Sequence, residues 1–274
     1  MAEYYEPIEE IQARAKDLQT FSMKQFSLTN KVAIVSGGNT GLGQAYVVAF
    51  AEAGADIYVP TFTSEGWEET KRLVEAKGRK VIFEEVDLTK EDAPKQVIEH
   101  TLSAFGHIDI LVNNAGMIRR NNLVDSKQTD WDAVMNINLN VVYRLSMAVL
   151  PIFKKQNSGK IINIASMLSY FGGKFVPSYT ASKHGVAGLT KAFASEASAW
   201  NIQVNAIAPG YIATSNTAPI RADQERNDEI LGRIAAGHWG QTNELMGGVV
   251  FLASPASNYI TGIIMPIDGG YLVR

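Results

Sequence analysis

Cysteine is absent from the 274 residues. That excludes a disulfide framework, a thiolate metal site and a cysteine nucleophile. The four histidines include no close pair, so no zinc site is expected and no metal ligand is assigned. An excess of basic charge is missing too. Lys and Arg total 25 against 28 Asp and Glu, a net charge of −3. A nucleic-acid partner is therefore not expected, because phosphate binding needs a basic surface. No uninterrupted apolar run approaches the roughly 18 residues that span a bilayer, so no membrane partner is expected. The opening MAEYYEPIEE is acidic, whereas a secretory signal is basic and then apolar. The cytoplasm is the default location. Linkers, repeats and low-complexity stretches are also absent.

What is present reads as one globular domain, with 46% hydrophobic and 19% charged residues. Residues 1–30 form an N-terminal extension in which Ile8, Ile11, Ala15 and Leu18 recur at helical spacing. From residue 31 to 274 short apolar runs alternate with helical patterns. Strands are predicted at 32–35, 56–59, 80–83, 108–112, 161–164, 203–207 and 263–267. Helices are predicted at about 42–53, 64–77, 129–155 and 178–199, with one more before the fourth strand. This order implies βαβ units and an α/β fold. The architecture is a doubly wound, Rossmann-type parallel sheet of about seven strands, with helices on both faces. The stretch 210–243 is the loosest, and follows the sixth strand where α/β proteins place ligand loops and lids.

Ser36-Gly37-Gly38-Asn39-Thr40-Gly41-Leu42-Gly43 joins the first strand to the first helix. Glycines there let the backbone approach a pyrophosphate, and the helix N-terminus offers free N–H groups to it. The spacing is Gly-x3-Gly-x-Gly rather than GxGxxG. An acid is expected roughly 20 residues on to hold the adenosine ribose of NAD. Thr61 and Phe62 stand there instead, with Glu65 in the next loop. No arginine stands there for a 2′-phosphate. The missing cation favours NAD, and NADP is not excluded.

Tyr179 and Lys183 are four residues apart, which puts both on one helix face. A neighbouring ammonium lowers a phenol's pKa, so such a tyrosine can pass a proton near neutral pH. The same spacing also makes ordinary surface contacts. Ser166 follows the fifth strand at the end where open α/β sheets bind ligands, and its hydroxyl can donate to a carbonyl. Ser169 beside it reads as a loop hydroxyl. Asn138 falls on the apolar stripe of the long helix formed by Trp131, Val134, Met135, Val141, Val142, Leu145 and Val149. A buried amide there needs partners, either structural ones or a water linking the lysine to solvent.

Ser36-Gly37-x3-Gly41-x-Gly43, Asn113-Asn114-Ala115-Gly116, Asn138, Ser166, Tyr179-x3-Lys183 and Pro209-Gly210 together resemble the short-chain dehydrogenase/reductases. The resemblance covers residues 31–274. It implies a nicotinamide cofactor and a homotetramer. It also implies that Tyr179 is the general acid/base, Lys183 binds the nicotinamide ribose and tunes Tyr179, Ser166 orients the carbonyl, and Asn138 anchors a relay water. By motif, Asn114, Ala115 and Gly116 line the adenosine and ribose side of the cofactor. Asp87 and Leu88 meet the adenine, while Ile212 and Thr214 hold the carboxamide. Ser36 stands where threonine is usual.

Within that family, Ile118-Arg119-Arg120, residues 161–168, 176–183 and 205–211, and Arg221-Ala222-Asp223 with Trp239-Gly240 resemble the branch that acts on C5 of sugar acids. The resemblance implies a keto-deoxy sugar acid as substrate, with gluconate as the alternative and uronate breakdown as the setting. His238 replaces an expected arginine. Arg119 and Arg120 follow the fourth strand, and a guanidinium holds a carboxylate through paired hydrogen bonds. Surface or interface ion pairing is the other reading of both. Arg221, His238 and Trp239 are further substrate candidates, with lid packing the alternative for Trp239. Reduction of a carrier-bound ketoacyl group, or a non-catalytic cofactor-binding scaffold, are the rival functions. The complete Ser–Tyr–Lys–Asn set argues against a scaffold.

Overall fold

The computed structural model describes residues 21–273. The helical pattern of Ile8, Ile11, Ala15 and Leu18 lies outside them. Seven strands form one parallel sheet: β1 (Val32–Val35), β2 (Asp56–Thr61), β3 (Val81–Glu85), β4 (Ile110–Asn113), β5 (Gly159–Ile164), β6 (Ile202–Pro209) and β7 (Ile264–Ile267). Their spatial order is β3-β2-β1-β4-β5-β6-β7. The chain builds outward from β1 to β3, then crosses back to β4 on the other side of β1. The crevice between β1 and β4 is thus the switch point where such sheets bind ligands.

The helices are α1 (Gly41–Ala53), α2 (Trp67–Glu75), α3 (Ala93–Phe105), α4 (Gln128–Met135), α5 (Val141–Gln156), α6 (Pro177–Ala197), α7 (Ala218–Ala222), α8 (Gln224–Arg233) and α9 (Met246–Ala253). Side chains alternate across a strand, and the two faces of the sheet divide accordingly. Ala33, Val35, Ile57, Val59, Ile110 and Val112 pack against Tyr46, Val47 and Phe50 of α1 and Val249 and Leu252 of α9. Ile34, Tyr58, Leu111, Ile161 and Val204 pack on the other face against Val97 of α3, Leu145, Val149 and Phe153 of α5, and Ala194 of α6. Strands buried on both faces are mostly apolar, and β1 wholly so, reading Val-Ala-Ile-Val.

Three features depart from the sequence expectations. The long helix is broken by a π-helical turn over Asn136–Asn140 that carries Asn138, and Trp131 on its expected apolar stripe is 40% exposed. The stretch 210–243 is not open loop: it contains α7 and α8, whose Ile230 packs with Ile234, Trp239 and Tyr271. The third departure concerns hydropathy. Within the helix Gln128–Gln156 one 18-residue window is long and apolar enough to cross a membrane, at a mean hydropathy of 1.3. Leu145, Val149 and Phe153 of this helix are spent against the sheet.

Candidate active site

The loop after β1 is shaped by its glycines. Gly37 and Gly41 have φ of 63° and 57°. A Cβ on Gly43 would lie 2.1 Å from the Gly37 carbonyl oxygen, so only glycine lets the helix start that close. A Cβ on Gly41 would meet nothing within 4 Å and would project into open space. Thr40 does not cap α1 with its side chain, and no acid stands in the first turn. Free N–H groups, a positive dipole end and an open cradle fit the pyrophosphate of a dinucleotide.

Ser36 and Asn114 stitch this loop to the end of β4. Ser36 Oγ accepts from the Asn114 and Ala115 N–H groups, at 3.0 Å each. Asn114 Nδ2 donates to the carbonyls of Ser36 and Gly37 at 2.9 and 3.0 Å. The two sides of the crevice are therefore one rigid unit. At its far edge Thr61 donates to Asn39 Oδ1 at 2.7 Å, and Asn39 Nδ2 donates to the Glu65 carbonyl at 2.8 Å. Asp87 follows β3. Hydrogen bonds from the Thr89 hydroxyl hold its carboxyl below the usual range, with the Thr89 N–H and Lys90 acting in the same direction. Leu88 is buried beside it.

Ser166, Tyr179 and Arg120 converge at the carboxyl end of the sheet. Ser166 and Arg120 both stand close enough to the Tyr179 phenol to pull its pKa down. Ser166 Oγ accepts from the Leu168 N–H at 3.1 Å, which leaves its own proton to donate. Lys183, one turn beyond Tyr179 on α6, donates from Nζ to the Ile164 carbonyl at 2.5 Å and lies 5.5 Å from the Tyr179 ring centre. The titration balance differs from the sequence expectation. Burial pushes Lys183 down to about 8. Burial lifts Tyr179 above its ordinary value, against the pull of Ser166 and the positive charge of Arg120. In the free protein, then, desolvation outweighs the neighbouring cations at the phenol.

Asn138 is fully buried and its amide is satisfied in both directions by Met117. Oδ1 accepts from the Met117 N–H at 2.8 Å, and Nδ2 donates to the Met117 carbonyl at 2.9 Å. Nδ2 also donates to Ser182 Oγ at 3.1 Å. Both amide hydrogens are thus spent on protein partners, and the second lone pair of Oδ1 is what the side chain has left for a water. Gly116 leaves room for this contact, since a Cβ there would stand 3.1 Å from Asn138 Oδ1. One serine escaped the sequence reading of the site: Ser182 donates to the Tyr179 carbonyl at 2.7 Å. Ser182 precedes Lys183 directly, which was the available signal. Ser169, read as a loop hydroxyl, donates to the Lys183 carbonyl at 2.7 Å.

On the other side of the crevice, Pro209 ends β6, and a Cβ on Gly210 would come within 2.5 Å of Asp268 Cα. Ile212 is buried and bridges to Gly240, while Thr214 is drawn inward by Thr217. Several substrate candidates have partners of their own. Arg119 is exposed and faces Asp130 at 3.6 Å, so its charge is already answered. Arg221 is exposed and donates to the Thr214 carbonyl at 3.1 Å. Trp239 is a packing residue: it is buried, stands edge-on to Tyr211 and donates to Asn227 Oδ1 at 2.8 Å. His238 lines a cavity of about 100 Å³ with Ile212, Glu244 and Asp268.

Comparisons with known proteins show the family and the fold. Residues 37–272 match the family model described as enoyl-(acyl carrier protein) reductase. A 2-dehydro-3-deoxy-D-gluconate 5-dehydrogenase of Escherichia coli is 50% identical over 92% of this chain and 99% of its own. The Bacillus subtilis protein of the same name is 51% identical over 91% of this chain and 97% of its own. Among solved structures, one from Agrobacterium tumefaciens, provisionally described as a 2-deoxy-D-gluconate 3-dehydrogenase, carries bound NADP. It is 45% identical, with a TM-score of 0.85 over 91% of this chain and 99% of that one.

Proposed function

The chain belongs to the short-chain dehydrogenase/reductase family, and from that membership we propose that it reduces and oxidises C5 of a keto-deoxy sugar acid with NAD(H). The observation that carries this reading is the approach of Ser166 to the Tyr179 phenol, with the buried Lys183 one turn on and 5.5 Å from the ring centre. Two hydroxyls aimed at one oxygen are what a carbonyl needs as it becomes an alkoxide.

In the reductive direction Tyr179 Oη gives its proton to the C5 oxygen. Ser166 Oγ donates a hydrogen bond to the same oxygen and orients it. Lys183 holds a largely protonated ammonium at neutral pH beside the phenol, favours the phenolate that forms, and would hold the nicotinamide ribose of a bound cofactor. The nicotinamide, when bound, supplies the hydride or takes it back. Asn138 clamps the π-helical turn to Met117 and to Ser182, the neighbour of Lys183, and so fixes the turn beside the helix that carries the lysine. The alcohol's return to ketone runs the same proton to Tyr179.

Arg120 is the residue we assign to the substrate carboxylate. Its charge already reaches Tyr179, and its one hydrogen bond, to the Asn216 carbonyl at 3.3 Å, is weak enough to exchange. Gly37, Asn39, Gly41, Leu42, Gly43, Thr61, Asp87, Leu88, Ile212 and Thr214 are assigned to the cofactor. NAD is favoured because the sequence 61–66, Thr-Phe-Thr-Ser-Glu-Gly, offers no cation to a 2′-phosphate. Lys71 and Arg72 of α2 face Glu75 and Glu69 instead. A homotetramer is the assembly we assign, and light scattering at four chain masses tests it.

The deciding experiment follows NADH absorbance with purified protein and 3-deoxy-D-glycero-2,5-hexodiulosonate, with 5-keto-D-gluconate and NADPH as comparisons. Fast NADH oxidation with the deoxy acid alone supports the full reading. Preference for 5-keto-D-gluconate moves the chain to the gluconate branch. NADPH preference overturns the cofactor assignment. Silence in all arms overturns the substrate class.

A further inference from the structure

Four residues other than glycine have positive φ among the described residues: Asn30, Asn157, Asn201 and Phe175. Asparagine tolerates the left-handed region, because its short side chain hydrogen-bonds locally. A bulky aromatic does not, and Phe175 at φ 68° is the outlier. Its strain serves no core, since the residue is 56% exposed. Yet the backbone on both sides is firmly held. The Phe175 carbonyl accepts from the Asn121 N–H at 3.0 Å, and the Gly173 N–H donates to Thr180 Oγ1 at 3.3 Å. Val176 then caps α6 and is buried.

The placement is specific. Phe175 sits on the segment that joins Ser166 to Tyr179, four residues before the phenol. Its carbonyl clamps Asn121, the neighbour of Arg120, whose charge acts on Tyr179. The strained, exposed Phe175 thus stands between Ser166 and Tyr179 in the chain, one backbone hydrogen bond from the neighbour of Arg120. We propose that Phe175 is a specificity-determining residue, whose ring covers the C–H face of the bound sugar acid and favours an acid that is deoxygenated at C3. A methylene at C3 widens the apolar face of the substrate, and an aromatic ring rewards an apolar face where a hydroxyl would lose its water. The inference rests on the sugar-acid reading above and names the feature of this chain that would select within that class.

The test compares Phe175→Gly, Phe175→Asn and Phe175→Tyr with the wild type on the 3-deoxy diketo acid and on 5-keto-gluconate. Gly and Asn both accept the left-handed backbone, so both remove the ring without adding strain. The expected result is a KM for the deoxy acid about tenfold higher in both variants. The KM for 5-keto-gluconate changes about twofold or less, and kcat and the cofactor KM stay within twofold. Phe175→Tyr keeps the wild-type preference. Phe175→Gly also melts about 2–5 °C higher, because the strain is gone. Equal KM changes for both acids, or none, overturn the proposal while leaving the sugar-acid reading intact. A wild type inactive on every sugar acid overturns both.

Discussion

Two buried lysines grip the two ends of one strand. Lys183 donates to the carbonyl of Ile164, the last residue of β5. Lys160, the second residue of β5, donates to Asn258 Oδ1 at 2.9 Å and Ser257 Oγ at 3.3 Å. Burial pushes both to about 8, and neither has a carboxylate among these partners. By titration alone they are indistinguishable. Their company differs. Lys183 shares its helix with Tyr179, and the phenol meets Ser166 and the charge of Arg120. Lys160 lies at the amino end of the strand, away from the switch point, among Ser257, Asn258 and Gln203. A depressed pKa therefore marks desolvation, and only convergent groups mark a site.

Substitutions can break this contrast, and the largest effect belongs to the phenol. Tyr179→Phe should lower kcat about 10³-fold with the melting temperature within 2 °C, as general acid loss does. Turnover near wild type by a folded variant would sink the acid assignment. Lys183→Met should cost about 10²-fold in kcat/KM, whereas Lys160→Met should stay within twofold. A matching loss at Lys160 would mean that the amino end takes part after all.

The two arginines sharpen the same point on a smaller scale. Arg120→Ala should raise the sugar-acid KM about 10–50-fold, the worth of a charge-assisted contact. It should also move the Tyr179 limb of the pH–rate profile to higher pH, because a cation that favours the phenolate is gone. Arg119→Ala should change KM less than about twofold, since an exposed pair with Asp130 contributes little. Steady-state kinetics on the two variants checks both, and the reverse order would transfer the carboxylate contact to Arg119.

The sheet was legible in the sequence because strands buried on both faces are mostly apolar, β1 wholly so, and glycines close the helices between them. The pattern Val32–Val35 needed no partner to be read. The Tyr179–Lys183 spacing and the glycine loop were legible for a similar reason: each is local. What was not legible depends on distant contacts. The pairing of Arg119 with Asp130, which separates it from Arg120, joins a loop to α4. The net upward push on Tyr179 comes from the burial that the whole fold imposes. Trp239 looks like a substrate contact in a loose stretch until α8 supplies Asn227 to its indole. The π-helical turn that holds Asn138 leaves no mark in hydrophobic periodicity.

The smallest effect concerns stability, and it runs opposite to activity. A lysine at about 8 when folded, against its ordinary 10.5, releases protons on folding between those two values. The unfolded chain binds more protons there, so stability rises with pH across that window and the full cost of the buried charge is present below about pH 8. Lys160→Met should therefore stabilise the protein by about 1–2 kcal/mol at pH 7, with the gain shrinking as pH climbs through 8 to 10.5. Urea midpoints at pH 7 and pH 10 measure it. Lys183→Met should give the same pH signature together with its about 10²-fold loss in kcat/KM, because the active site retains a desolvated charge that the fold alone would discard. A Lys160→Met gain that is equal at both pH values would mean that Ser257 and Asn258 already solvate the ammonium well, and that the two ends of β5 are less alike than their burial suggests.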